Sequence, residues 1–170
     1  MSRWKKPLRE NVSLLIIAAA KPMIAAIYGE SGSLIKAIES EKQLSEALCE
    51  IVEPIDREYA IVRVLYANGP GSFMGLKLSY IFLRAFSIAR DIEFLAAESF
   101  AFSGDRAILA HKNRWFVKKP NGEIVIENRE NAQENSENGR NIEHKISAPS
   151  KLDLSIFCGD TAPQYILNAA

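Results

Sequence analysis

Apolar positions along this chain fall first into short, nearly unbroken runs and then into helical spacing. Val12–Ala20 and Met23–Tyr28 are separated by Lys21-Pro22 and followed by Gly29-Glu30-Ser31-Gly32, after which comes Leu34–Ile38. Runs of this length bounded by turn residues predict three strands of a meander. From Gln43 to Glu53 the period changes: Leu44, Ala47, Leu48 and Ile51 share one helical face, Glu46, Glu50 and Glu53 form an acidic one, and Pro54 is expected to end the helix. Tyr59–Tyr66 is rich in β-branched and aromatic residues with little polarity, which predicts a strand covered on both faces, as in an α/β sheet. It runs directly into Asn68-Gly69-Pro70-Gly71-Ser72-Phe73-Met74-Gly75 and a long helix from Gly75 to Arg90.

That second helix is apolar over an unusual share of its circumference. Lys77, Tyr80, Arg84 and Ser87 are read as one narrow polar stripe, while Leu76, Leu78, Ile81, Phe82, Leu83, Phe86 and Ile88 occupy most of the rest. A helix lying on a sheet needs an apolar stripe of only about 100°. Either both sides are covered within the monomer or an apolar patch remains for a second protein, and the second is expected, since large contiguous apolar patches mark such sites.

The second half is less regular. Phe94-Leu95-Ala96, Arg106–Ala110, Trp115–Val117 and Glu123–Ile126 are expected strands, the last returning from a Pro120-Asn121-Gly122 turn. Residues 127–147 carry five Asn and five Glu with few apolar positions and are expected to form a mobile polar loop. Leu154–Phe157 is expected to be a strand, and Gln164–Leu167 a terminal helical fragment.

Charge adds a pattern that the total conceals. Among 170 residues, 21 Lys+Arg balance 21 Asp+Glu, which argues against a protein whose main task is to coat nucleic acid, because phosphate contacts need bases in excess. Residues 31–60 hold three bases against seven acids, a net of minus four, and residues 61–90 hold four bases and no acid, a net of plus four. With 48% apolar residues the chain has ample core. Cys49 and Cys158, with no neighbouring Cys, build neither a disulfide framework nor a CxxC motif and are expected to be buried. Arg3, Lys5, Lys6 and Arg9 ahead of the apolar run ending Ala18-Ala19-Ala20 imitate an export signal, but Glu10 and Asn11 interrupt the approach and a second apolar run follows at once. Neither run reaches the roughly 18–20 apolar residues of a membrane span, so no membrane association and an intracellular, cytoplasmic chain are expected.

The candidate chemistry centres on the glycine turn. Gly69, Gly71 and Gly75 permit close backbone approach, and Ser72 is placed to cap the helix. Strand, glycine turn and helix N-terminus together make a natural anion site, yet the spacing is neither GxxxxGK[ST] nor GxGxxG, and a purely structural turn fits as well as a phosphate cradle. His111 and His144 are isolated, and neither GxSxG nor HExxH occurs, so no catalytic residue is assigned.

The stretch Asn68-Gly69-Pro70-Gly71-Ser72-Phe73-Met74-Gly75-Leu76-Lys77 resembles the GPGSFTGLR signature of the bacterial TsaB (YeaZ-like) proteins, and the order of elements over residues 12–110 is similar as well. The resemblance implies an α/β fold of the actin-like, RNase H-like (ASKHA) superfamily: an N-terminal domain over residues 1–104 carrying Gly69, Pro70, Gly71, Ser72, Phe73 and Gly75, and a reduced second lobe over 105–170. It implies a non-catalytic subunit of the machinery that makes threonylcarbamoyladenosine beside the tRNA anticodon, paired with a TsaD-like transferase subunit. A TsaE-like ATPase would join through that complex, tRNA would be met only indirectly, and the chain alone would be open to homodimerisation. Both helices are implied to dock the partner, with Leu44, Leu48, Ile51, Leu78, Phe82 and Phe86 at the interface. The acids of the first helix and bases of the second would then help to select the partner.

Departures from the family pattern are specific. Family members end their first strand with Asp-Thr-Ser or a near variant facing a nucleotide-phosphate site, where this chain has Ala18, Ala19 and Ala20. Those side chains offer no oxygen to Mg²⁺, so no cofactor or metal is assigned. The signature Thr is Met74 and the Arg is Lys77, which loses the bidentate fork. The alternative is an independent nucleotide-dependent phosphotransferase of the same superfold, with the Gly69–Gly75 turn as phosphate cradle.

Overall fold

The computed structural model describes residues 8–129 and 145–166. Its strands are β1 (Asn11–Ile17), β2 (Met23–Tyr28), β3 (Leu34–Ser40), β4 (Ala60–Ala67), β5 (Glu93–Ala97), β6 (Ala107–His111), β7 (Arg114–Lys118) and β8 (Ile124–Asn128). Two helices, α1 (Leu44–Glu58) and α2 (Phe73–Arg90), separate β3 from β4 and β4 from β5. A five-stranded mixed sheet has the order β3-β2-β1-β4-β5, and β6-β7-β8 form a separate antiparallel sheet. β1 pairs antiparallel with β2 and parallel with β4.

Alternation along β1 sorts its side chains to two cores. Leu14 and Ile16 face a cluster with Ala47, Leu48, Val52 and Ile55 of α1 and Leu83 of α2. Leu15 and Ile17 face the opposite side, covered by Phe102, Leu152 and Phe157. Both helices therefore lie on one face, while a short 3-10 turn (Ser99–Phe102) and the returning chain cover the other. Ala19, Leu76, Phe100, Ile108 and Phe116 join the two sheets.

Several expectations are corrected. α1 does not stop at Pro54 but continues to Glu58. Ile55 extends the buried stripe of Leu48 and Val52, and the carbonyl left without a donor by Pro54 is that of Glu50, on an exposed face open to water. Leu154–Ile156 is a 3-10 turn rather than a strand, and Gln164–Ile166 is not helical. The polar stretch 127–147 lies largely outside the described residues, as do Arg3, Lys5, Lys6, His144 and Leu167. Cys49 and Cys158 are exposed, Cys49 on the outer side of α1 away from its apolar stripe. The run Val12–Ala20, read as mimicking an export signal, supplies the middle strand of the larger sheet. Among the described residues no helix is long and apolar enough to cross a membrane.

The returning segment 145–166, grouped in sequence with the second lobe, packs on the first sheet as well as against the cluster that includes β6 and β7. Bridges join Ser33 to Lys151 and Ala96 to Cys158, and the Tyr28 hydroxyl donates to the Pro149 carbonyl at 2.8 Å. Burial pushes the Tyr28 phenol from its ordinary value of 10.0 up to about 12, and burial raises Tyr66 further still. Because the folded-state value is raised, the stability linked to Tyr28 is fully present below about pH 10 and lost as pH climbs through about 12. Stability against denaturant is thus expected to fall across that window. The phenolate absorbance lost on changing Tyr28 to Phe should titrate well above pH 10, and a Tyr28 transition at its ordinary value would contradict this burial.

Candidate functional site

The turn between β4 and α2 is pressed against the end of β1. A Cβ on Gly71 would stand 2.5 Å from the Ala19 carbonyl oxygen, and one on Gly75 closer still to that of Ala18. The Ser72 amide donates to the Ala19 carbonyl at 2.7 Å. Ser72 caps α2, its hydroxyl accepting from the Gly75 amide at 3.2 Å and its carbonyl from the Leu76 amide at 2.9 Å. The amides of Ser72, Gly75 and Leu76 are thereby satisfied within the protein. Of the two readings of the turn, close packing of helix on strand accounts for Gly71 and Gly75.

Gly69 answers to a different neighbour. Its φ of +128° is one that side chains resist, and a Cβ there would meet the Gln164 carbonyl at 2.5 Å. The tail at 161–166 crosses this point: the Gln164 amide donates to the Asn68 carbonyl at 2.6 Å, the Tyr66 hydroxyl to the Thr161 carbonyl, and Asn68 Nδ2 to the Ala162 carbonyl at 3.3 Å. Tyr165 packs against Phe73 with the rings tilted and their centroids 4.7 Å apart. The change Tyr66→Phe removes one of these tethers and is expected to cost about 1 kcal/mol. Hydrogen exchange should show faster opening at the Gln164 amide, whereas unchanged protection there would mean that the tether does not hold the tail.

Between the β1–β2 turn, the start of α1 and the start of α2 lies a groove of about 400 Å³. Its walls are mainly Ala18, Ala20, Met23, Leu44, Met74 and Leu78, with Lys21 and Lys42 among the polar residues. A magnesium nucleotide held at the end of β1 would need carboxylate or hydroxyl oxygens there, and alanines stand at 18, 19 and 20. The donor set does not fit that group, and no chemistry is derived through it.

The two helices pack side by side, and their faces differ from the sequence expectation. The buried stripe of α2 is Leu76, Ser79, Leu83 and Ser87. Ser87 therefore belongs to the sheet side rather than to a polar outer stripe, and its hydroxyl donates to the Arg84 carbonyl at 2.9 Å. Small serines let the helix sit close to the strands. Leu48 is 2% exposed and lies in the core, so it offers nothing to a partner. Leu44, Ile51, Leu78, Phe82 and Phe86 are half-buried. Phe82 and Phe86 stack nearly parallel, centroids 6.4 Å apart, and pack with Leu44 and Ile51 against the core. Part of the apolar excess of α2 is thus covered by α1.

What remains outside is not among the residues expected at the interface, although Ile81 and Ile88 belong to the apolar circumference read from spacing. Met74, Ile81 and Ile88 are 54%, 52% and 68% exposed, with Phe73 at 48%. Their signal was present: Met74, Ile81 and Ile88 recur every seven residues, with Lys77 and Arg84 between them at the same interval. The charges also sort differently than expected. Four of the five acids of α1 are met by bases of the same chain: Lys42 reaches Glu50 at 2.6 Å and Glu46 at 3.9 Å, Arg57 meets Glu53, and Arg90 meets Asp56. The Lys42 hydrogen bond and charge hold Glu50 below the usual carboxylate range. Lys77 and Arg84 have no ion pair among the described residues, although Lys77 lies 5.8 Å from the Phe73 ring.

No protein-family model matches this chain, and no curated protein matches it by sequence. Solved structures do match. YeaZ from Pseudomonas aeruginosa is similar with a TM-score of 0.52 at 16% identity, over 70% of this chain and 65% of that one. An uncharacterized protein with similarity to peptidase YEAZ, from the same organism, matches with the same score and identity over 70% and 64%. The chain spans just under two thirds of the length of these structures. Its fold is therefore the actin-like, RNase H-like α/β fold, with a mixed five-stranded sheet and two helices.

Proposed function

We propose that the chain is a divergent YeaZ-like (TsaB) protein and a non-catalytic subunit of the tRNA threonylcarbamoyladenosine machinery, acting as scaffold and activator of a TsaD-like transferase subunit in the cytoplasm. The observation that carries this reading is the use made of the turn 69–75. Its close approaches and internal hydrogen bonds seat α2 on β1, so the segment resembling the family signature builds a helix-presenting surface. The shared fold supports it, and so do the alanines at the end of β1, which favour a subunit over an independent phosphotransferase. A TsaE-like ATPase belongs to the assembled complex, tRNA is met through the transferase subunit, and residues 1–104 carry the docking helices.

Co-expression with the TsaD-like subunit of the same organism tests the reading. The two chains are expected to co-elute, and loss of this chain should deplete threonylcarbamoyladenosine in digested tRNA. Absence of both effects would reject it. Micromolar Mg-ATP binding by the isolated chain, measured by calorimetry together with phosphoryl transfer, would favour the phosphotransferase instead.

A further inference from the structure

We infer that the groove between the β1–β2 turn and the starts of the two helices binds a small aliphatic carboxylic acid, its chain among the apolar walls and its carboxylate at Lys21. The inference concerns the chain by itself and stands whether or not a transferase subunit is its partner. The groove holds about 400 Å³, within the range of small-molecule sites, which are mostly apolar with a few polar groups. Its walls come from distant parts of the sequence: Ala18, Ala20 and Met23 around the turn, Leu44 at the start of α1, and Met74 and Leu78 early in α2. Ala18, Ala20 and Met74 are also positions where this chain departs from the carboxylate and hydroxyl side chains of the pattern it resembles. The structure brings these departures together on one surface, and each replaces oxygen with carbon.

Charge selects the occupant. Among the described residues no carboxylate side chain lines the groove, and its charged residues are Lys21 and Lys42. Lys42 is engaged by Glu50 at 2.6 Å and Glu46 at 3.9 Å. Lys21 has no ion pair among the described residues, and its ammonium donates to the Glu41 carbonyl at a long 3.5 Å. An acid therefore meets a cation at the rim, whereas an amine meets repulsion. The neighbouring hydroxyls are used within the chain: Ser72 caps α2, and Ser40 Oγ accepts from the Lys42 amide at 3.3 Å. A sugar or a polyphosphate would set its oxygens against Ala18, Ala20 and Leu78 with hydrogen bonds unanswered, which is costly. An aliphatic chain is matched there carbon to carbon.

Methyl NMR of the full chain reads the site, because Met23 and Met74 both line it. Titration with butanoate, hexanoate and octanoate is expected to shift both methionine methyl signals, each added methylene tightening binding about three- to fourfold. Octylamine is expected to bind about tenfold more weakly than octanoate, and Lys21→Glu to reverse that order. Ala20→Phe, which fills the groove, should abolish binding of both. Thermal melts verify that each variant is folded, and the charge reversal at Lys21 decides the matter if Ala20→Phe is not. No shift with any of these acids, affinity independent of chain length, equal affinity for acid and amine, or an order that Lys21→Glu leaves unchanged would overturn the inference. Tighter binding of Mg-ATP than of octanoate at the same methyl signals would overturn it as well, by placing a nucleotide there. Flotation with phosphatidylglycerol vesicles without any response to octanoate would do so by pointing to a lipid surface.

Discussion

Changing Gly75 to alanine is expected to destabilise the chain by about 3 kcal/mol or more, at or beyond the top of the range for overpacking, because the added methyl would be driven into backbone. The atom in its way is the Ala18 carbonyl oxygen at the end of the middle strand, which cannot move without disturbing β1 against both neighbours. Gly71→Ala meets Ala19 in the same manner and should behave alike. For a chain of this size the loss corresponds to a fall of roughly 6–12 °C in the melting midpoint. Gly104 is the control: nothing lies within 4 Å of a Cβ there, so Gly104→Ala should be neutral or slightly stabilising. A Gly75→Ala variant that melts with the wild type would refute the close packing of turn on strand, and with it the structural account of the signature-like segment.

Leu83→Ala should cost about 2–5 kcal/mol, while Ile81→Ala two positions away should change stability by less than about 0.5 kcal/mol. Leu83 is fully buried between helix and sheet, and Ile81 is half exposed on the opposite side. Urea denaturation of the two variants reads the contrast directly, and similar losses for both would show that the orientation of α2 is wrong. Phe82 and Phe86 fall between these extremes. They stack on one another and rest against α1, so a charge at either position is expected to loosen the helix pair as well as any complex. Loss of binding by Phe82→Asp would therefore say little about docking unless the melt is unchanged.

Much of the fold was legible along the chain. Met23–Tyr28 appears as a strand with the bounds read from its apolar run, and β1, β3, β4 and β5 lie within a few residues of their expected places. Burial on both faces leaves little ambiguity in β1 and β2. The end of α1 was one misreading: local propensity ends a helix at proline, but burial of Ile55 carries it one turn further. The signature-like turn was found by its glycines, yet whether it cradles a ligand or packs a helix could not be read there, because the deciding contact comes from Ala18 and Ala19, more than fifty residues earlier.

The sequence by itself determined the periods of the elements, the alternation of charge between the two helices, the glycines at 69, 71 and 75, and the missing oxygens at Ala18–Ala20. Those are local properties, set by side-chain spacing and chemistry. Only the tertiary structure decided which side of α2 faces outward. A helix apolar over most of its circumference has no unique inner face in sequence. The choice falls to shape, since Ser79 and Ser87 let α2 approach the sheet more closely than isoleucines would, and Ile81 and Ile88 are left outside. Tertiary contacts likewise decided that Asp56 of α1 meets Arg90 of α2, a pairing set by the approach of the two helices, while Lys77 and Arg84 find no ion-pair partner among the described residues.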